Sequence, residues 1–453
     1  MSGQRSGWLI GIAMVALIAI AACARPCAAI EITRLKLSNG AVLLVSEQHQ
    51  LPMVTIAMAF DAGSRRDPKG KEGLASLTAE SLSEGTRQLT AEQLNQKIDF
   101  MGSSLGTSAG QDYASAGMTS LKRYFPDTLH LLASVLTSPA LRDDDILRKR
   151  GEQLADLSSE EEQPAYVAER DFNKLLFGDE PYGHLSSGTL ASVKQLTPAD
   201  VRAFYRQYYH LGDAIIAVAG DVKADEVKNA IEQELKGLQG AVEPQPTPPA
   251  PKVAPGAHVT KIDRNVVQAN LTMGFGGIAR SDPDYYKLQV MNYILGGGGF
   301  ASRLMKTVRS EHGLAYSIGS GFEAGLFPGS FRVVLQTKNQ SANEAVKLIL
   351  EQMRRIQNEP VSDAEIDSAK KFMIGSFPLK FDRLSSIASF MLQVELYQLG
   401  LDYADKYPKI ISAITKDDVR KVAREYLHPD AFILVAVANQ SEAALNVASD
   451  VAH

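Results

Sequence analysis

Thr197-Pro-Ala-Asp-Val-Arg-Ala-Phe-Tyr-Arg-Gln-Tyr-Tyr-His210 recurs as Thr415-Lys-Asp-Asp-Val-Arg-Lys-Val-Ala-Arg-Glu-Tyr-Leu-His428. In each copy a threonine stands where a helix N-cap is needed, and an aspartate follows three residues on, close to a capping box. Each copy then runs into an apolar stretch, Asp213-Ala-Ile-Ile-Ala-Val-Ala219 and Asp430-Ala-Phe-Ile-Leu-Val-Ala436, that reads as a buried strand. An ordered helix-then-strand match of this length predicts a duplicated unit.

The two halves begin alike as well. Arg34 to Val45 reads as a hairpin turning at Asn39-Gly40, and Val54 to Phe60 as a further strand. Gln268 to Phe275 has the same character in the second half. Thr90-Ala-Glu-Gln93 and Ser362-Asp-Ala-Glu365 are capping boxes that open helices. Strands and helices mix without strict alternation, so the fold class expected is α+β: two homologous layered halves, residues 30–240 and 259–453. Between them, residues 241–258 hold Glu243-Pro-Gln-Pro-Thr-Pro-Pro-Ala-Pro-Lys-Val-Ala-Pro255, whose proline density predicts an extended, semi-rigid linker.

A length of 453 residues is too great for one core, and 45% hydrophobic with 22% charged residues is an ordinary globular composition. The net charge of −5, with no basic patch, argues against nucleic acid as a partner. Residues 1–29 read as an export signal: Arg5 precedes an apolar run from Trp8 to Ala22, and small residues follow. The expected location is the periplasm. Ile20-Ala-Ala-Cys23 leaves two exits open: lipidation at Cys23, which would bring a membrane partner, or cleavage near Ala29 to a soluble form. Both cysteines, Cys23 and Cys27, fall in this segment, so the body forms no internal disulfide.

Gly73-Leu-Ala-Ser-Leu-Thr-Ala-Glu-Ser-Leu-Ser-Glu-Gly-Thr86 resembles the first active-site helix of the pitrilysin-type zinc peptidases (inverzincins), G-L-A-H-x-x-E-H-x-x-x-x-G-T. On that frame Ser76 and Glu80 hold the histidine positions, and Ala79 that of the general base. A serine is a poor zinc ligand and an alanine takes no proton. The family's third ligand, a glutamate, falls at or near Asp156. The eight histidines (49, 130, 184, 210, 258, 312, 428 and 453) include no pair at helical spacing. Glu80 and Asp156 alone make a thin site for zinc, and Glu80 with Glu84 reads as a solvated helix face. The expectation is that this chain binds no metal. Phe177-Gly-Asp-Glu-Pro-Tyr-Gly183 resembles the family's F-x-x-H-P-Y-G loop, with Glu180 in the histidine position.

The second half keeps more. Arg309-Ser-Glu-His-Gly-Leu-Ala-Tyr316 resembles the family's R-x₆-Y signature. The resemblance implies substrate binding, with a guanidinium fork for a carbonyl or carboxylate and a phenol for the oxyanion. The bland alternative pairs Arg309 with an acid and buries Tyr316 in an interface. Just upstream, Ile294-Leu-Gly-Gly-Gly-Gly-Phe300 lacks the Lys-Ser/Thr of a phosphate loop. By resemblance Gly296, Gly297, Gly298 and Gly299 form a flexible loop lining a peptide chamber; a plain turn is the alternative. Phe331 to Thr337 is a candidate strand for peptide addition at a sheet edge.

The resemblance covers nearly the whole body. It implies a non-catalytic subunit of a periplasmic zinc peptidase that acts on unstructured peptides, with a sister chain supplying H-x-x-E-H and the zinc. Two alternatives stay open. One is a peptide-binding or scaffold protein; the other is a self-sufficient metallopeptidase with an atypical site at Glu80 and Asp156.

Overall fold

The computed structural model describes residues 30–238 and 240–447. Residues 1–29, read above as an export signal, with Cys23 and Cys27, and His453 lie outside the described residues. The first sheet contains β1 (Thr33–Lys36), β2 (Val42–Glu47), β3 (Met53–Phe60), β4 (Ser104–Ala109), β5 (Ala114–Leu121) and β6 (Ile215–Gly220), in the order β1-β2-β6-β3-β5-β4. The second contains β7 (Gly256–Asp263), β8 (Gln268–Gly276), β9 (Ala315–Glu323), β10 (Ser330–Lys338) and β11 (Ala431–Ala438), in the order β7-β11-β8-β10-β9.

Apart from β1, the two orders are the same. β6 runs parallel to β2 and antiparallel to β3, as β11 does to β7 and β8. The repeated helices, Pro198–Tyr208 and Lys416–Tyr426, precede these paired strands, and each opens with its threonine–aspartate capping box. Both predicted boxes at Thr90 and Ser362 also form. The duplication read from the sequence is therefore present at the level of strand order and direction.

The continuous apolar runs of β6 and β11 are buried on both faces, which requires cover on both sides of each sheet. One face carries the half's own helices. The other is covered by a helix from the opposite half: Leu384–Leu396 lies on β3 and β6, and Pro164–Phe177 lies on β8 and β11. Val167, Ala168, Phe172 and Leu176 pack against Ile433, Val435 and Val437 in one apolar cluster. The described residues from Ile32 onward accordingly form a single compact unit. A two-pronged Arg34–Glu395 pair, at 2.9 and 2.7 Å, ties the Leu384–Leu396 helix to β1.

The proline-rich segment is a strap rather than a free spacer. The Val242 N–H donates to Asp213 at 2.7 Å, and Arg66 donates to the Glu243 carbonyl at 2.9 Å. Arg65 and Gln245 exchange hydrogen bonds at 2.7 and 3.1 Å, and Val253 packs into the core clusters. β7 begins at Gly256, inside the 241–258 range assigned to the linker.

Candidate functional site

The helix Leu74–Leu82 carries the altered metal frame. Gly73 starts it at φ +93, and a Cβ there would stand 2.6 Å from the Ser187 carbonyl, so only glycine fits. Asp67 caps it by accepting the Gly73 and Ala75 N–H groups at 2.7 Å each. Burial pushes the Asp67 carboxyl up to about 8, against the pull of those two hydrogen bonds. Ala79, in the position of the base, is fully buried; its carbonyl accepts from the Thr107 hydroxyl of β4 at 2.6 Å.

Glu80 and Glu84 are not a solvated face. They lie under the helix Asp143–Glu161, where Lys149 reaches Glu84 at 3.3 Å and Glu152 at 3.0 Å. Arg148 also pairs with Glu84, and with Glu152 at 2.5 Å, leaving the Glu84 side chain only 14% exposed. Burial pushes the Glu80 carboxyl up; Lys149 acts against this, while Asp156, Glu152 and Glu84 add to it. A cationic side chain thus sits among the acids beside the metal frame. A hydroxyl at Ser76, a methyl at Ala79 and two carboxylates at Glu80 and Asp156, with Lys149 beside them, do not fit a zinc ion. Among the described residues no group of three or more His, Cys, Asp or Glu is placed to hold a metal. The pattern Arg148-Lys149-x-x-Glu152 was the available signal for this neutralisation, because spacings of three and four put those charges on one helix face.

In the second half the four glycines are not equivalent. Gly296 and Gly297 belong to a π-helical turn, Tyr293–Gly297. A Cβ on Gly296 would meet the Ser320 hydroxyl at 2.3 Å, so this part of the expected flexible loop is packed. Gly298 is pressed against the Tyr293 carbonyl; Gly299 alone, at φ +56, has open space around it. Asn292 fixes the turn to β9, donating to the Ser320 carbonyl at 3.0 Å and accepting from its hydroxyl at 2.6 Å. Behind the loop, Arg303 pairs with Glu365 at 2.7 and 3.0 Å.

Arg309 lies on a second π-helical turn, Met305–Glu311; such turns recur at functional sites. Its guanidinium stands 5.0 Å from the Phe300 ring centre, 5.9 Å from that of Tyr316 and 3.9 Å from the Met305 sulfur. Among the described residues it has no carboxylate in ion-pair range. Tyr316 is 69% exposed and Phe300 74% exposed. The pairing passes from Ser317–Gln336 to Ala315–Thr337, so Tyr316 is the extra residue of a bulge, which re-aims its side chain. Phe300, which completes the cluster, was marked in the sequence only as an aromatic ending a glycine run.

The strand Phe331–Thr337 is not an edge, since β10 pairs with β8 on one side and β9 on the other. β9, the strand that carries Tyr316, is one of the two edges of this sheet, and its counterpart in the first sheet is β4. Glu180 lines a cavity beside Arg170, Lys174 and His184, and Tyr182 of the same loop clamps the halves together. Its hydroxyl donates to Asp112 and accepts the Phe327 N–H at 3.1 Å.

Residues 42–189 match the family model described as insulinase (peptidase family M16), and residues 195–373 match the one described as peptidase M16 inactive domain. The chain belongs to the M16 peptidase family. Relatives in the family include an uncharacterized zinc protease of Streptomyces coelicolor, 26% identical over 401 residues and covering 87% of each chain. A protein of Helicobacter pylori named non-peptidase homolog YmxG is 28% identical over 349 residues, covering 76% of this chain and 79% of the other. A crystal structure of a peptidase M16 inactive domain from Pseudomonas fluorescens superposes with a TM-score of 0.84 at 29% identity, covering 90% of this chain and 98% of that one. Within this M16 fold, the present chain has the helix of the metal site without its ligands.

Proposed function

We propose that this protein is an inactive M16 member that works as the non-catalytic subunit of a heteromeric periplasmic zinc peptidase. A homologous H-x-x-E-H chain supplies zinc and base. This chain supplies the opposing wall: the Gly296–Gly299 turn, Arg309 and Tyr316. One observation carries the reading. Arg148 and Lys149 pair with Glu84 beside the altered metal frame, whereas half-buried Arg309 has no carboxylate in ion-pair range among the described residues and rests against the Phe300 and Tyr316 rings, with Tyr316 exposed. The guanidinium presents a donor fork for a peptide carbonyl or carboxylate, and the phenol a single donor for a developing oxyanion. Edge strand β9 runs beside them and offers main-chain groups to an extended, unstructured peptide.

The test is turnover of an unstructured peptide by this chain mixed with an H-x-x-E-H homologue. The mixture is expected to cleave and each chain alone to be weak or silent. Replacing Arg309 or Tyr316 is expected to abolish the gain on mixing. Full activity from either variant mixture overturns the assignment, and unchanged physical association in those variants, with no peptidase activity in any mixture, would favour the scaffold reading.

A further inference from the structure

A cavity of about 560 Å³ opens on the seam between the halves, with neither Arg309 nor the helix Leu74–Leu82 in its walls. Its size is in the range of small-ligand sites. Its walls come from the ends of the two helices Asp143–Glu161 and Pro164–Phe177 and from β9 and β10. Four acids line it, Asp112, Glu160, Glu169 and Glu323, against one cation, Arg332. Arg332 is already engaged, with Glu169 at 2.9 Å and with Glu323. Asp112 is engaged by the Tyr182 hydroxyl and by the Leu326 N–H at 2.9 Å. Glu160 is the acid left over: its Oε2 is buried and has no hydrogen-bond partner among the described residues. Ser330, 1% exposed and in the same wall, likewise has an unpartnered hydroxyl.

The Tyr166 hydroxyl in the same wall is a third group unpartnered among the described residues, and since buried polar atoms are almost always paired, these three mark the place of a missing partner. Burial pushes the Glu160 carboxyl up, and Asp156, Glu161 and Glu169 push in the same direction. A positive charge delivered there relieves all of these at once.

We propose that this cavity binds an organic cation, an ammonium or guanidinium group, with the Glu160 carboxylate as counter-ion and the Ser330 hydroxyl as a second contact. The group is carried either by a basic peptide side chain or by a free polyamine. The site does not depend on a zinc-bearing partner, so it stands or falls apart from the subunit reading.

Calorimetric titration of the full exported chain tests it, with N-acetyl-arginine methylamide, its citrulline counterpart and spermidine as probes. One of the two cations is expected to bind and the uncharged citrulline compound not to. Glu160→Gln is expected to weaken that binding about tenfold or more. Ser330→Ala, which keeps the local shape, is expected to weaken it less, and serves if Glu160→Gln fails to fold. Binding of the arginine derivative assigns the site to peptides, and binding of spermidine alone assigns it to polyamines. Equal binding of arginine and citrulline compounds, no binding of either cation, or unchanged affinity in a folded Glu160→Gln protein overturns the proposal.

Discussion

The helix Leu74–Leu82 follows β3 in the first half and the turn Met305–Glu311 precedes β9 in the second, and their electrostatics are opposite. In the first, Arg148 and Lys149 pair with Glu84 and Glu152, Ala79 is buried, and Glu80 is half-buried. In the second, the ion pair lies behind the site, Arg303 with Glu365, and the front keeps an uncommitted guanidinium between two exposed rings. A site that has lost its ligands is stabilised by pairing its leftover charges. The proposed substrate site leaves a guanidinium and a phenol for a ligand to pair.

The largest effect tests whether both sites sit on one interlocked body. Phe172 belongs to the first half yet is fully buried beside β8 and β11 of the second. Phe172→Ala is expected to cost about 3–5 kcal/mol in urea unfolding, with a single transition. Separate transitions for the two halves would break the comparison, because the sites would then ride on independent domains.

Next comes the open site itself. Tyr316→Phe removes one hydroxyl and no bulk, and is expected to slow peptide turnover by a zinc-loaded mixture about a hundredfold or more. Stability should barely change, since the side chain is exposed. An equal loss of stability and turnover would make Tyr316 a structural residue.

The ion pair behind the open site has a pH signature. Burial pushes the Glu365 carboxyl up, but the hydrogen bonds from Arg303 and Ser362 outweigh it and bring it down to about 2. A depressed acid stabilises the fold above its unfolded value, near 4.5, and that contribution is lost as pH falls from there towards 2. After allowance for solvent screening, the loss is about 1–2 kcal/mol, and Glu365→Gln should flatten that part of the stability curve. An unaltered curve in the variant would separate Arg303 from the support of the loop.

The smallest effect belongs to the filled site. Glu84→Gln removes one partner of a partly exposed network and is expected to cost at most about 1 kcal/mol in thermal or urea unfolding. A loss of several kcal/mol would mean that the network, rather than the buried face of the helix, holds Leu74–Leu82 in place.

Much of this contrast was legible in the chain. The substitutions at Ser76, Ala79 and Glu80 and the intact Arg309 and Tyr316 are local facts, and capping boxes and paired strands declare themselves through short-range spacing. The exchange of helices between halves was not legible, because β6 and β11 read simply as buried strands whatever covers them. Nor was the interior place of β10, since strand order is set by pairings far apart in sequence. Lys149 beside Glu84 depends on two helices meeting. The packing of Gly296 against Ser320 turns a run that spells flexibility into a fixed turn.

Zinc content of the isolated, purified chain is the most direct measurement of the central claim. The account predicts only trace metal, and no rise in melting temperature when zinc is added. Stoichiometric zinc in the isolated chain, lost on Glu80→Ala together with any peptidase activity, would contradict it.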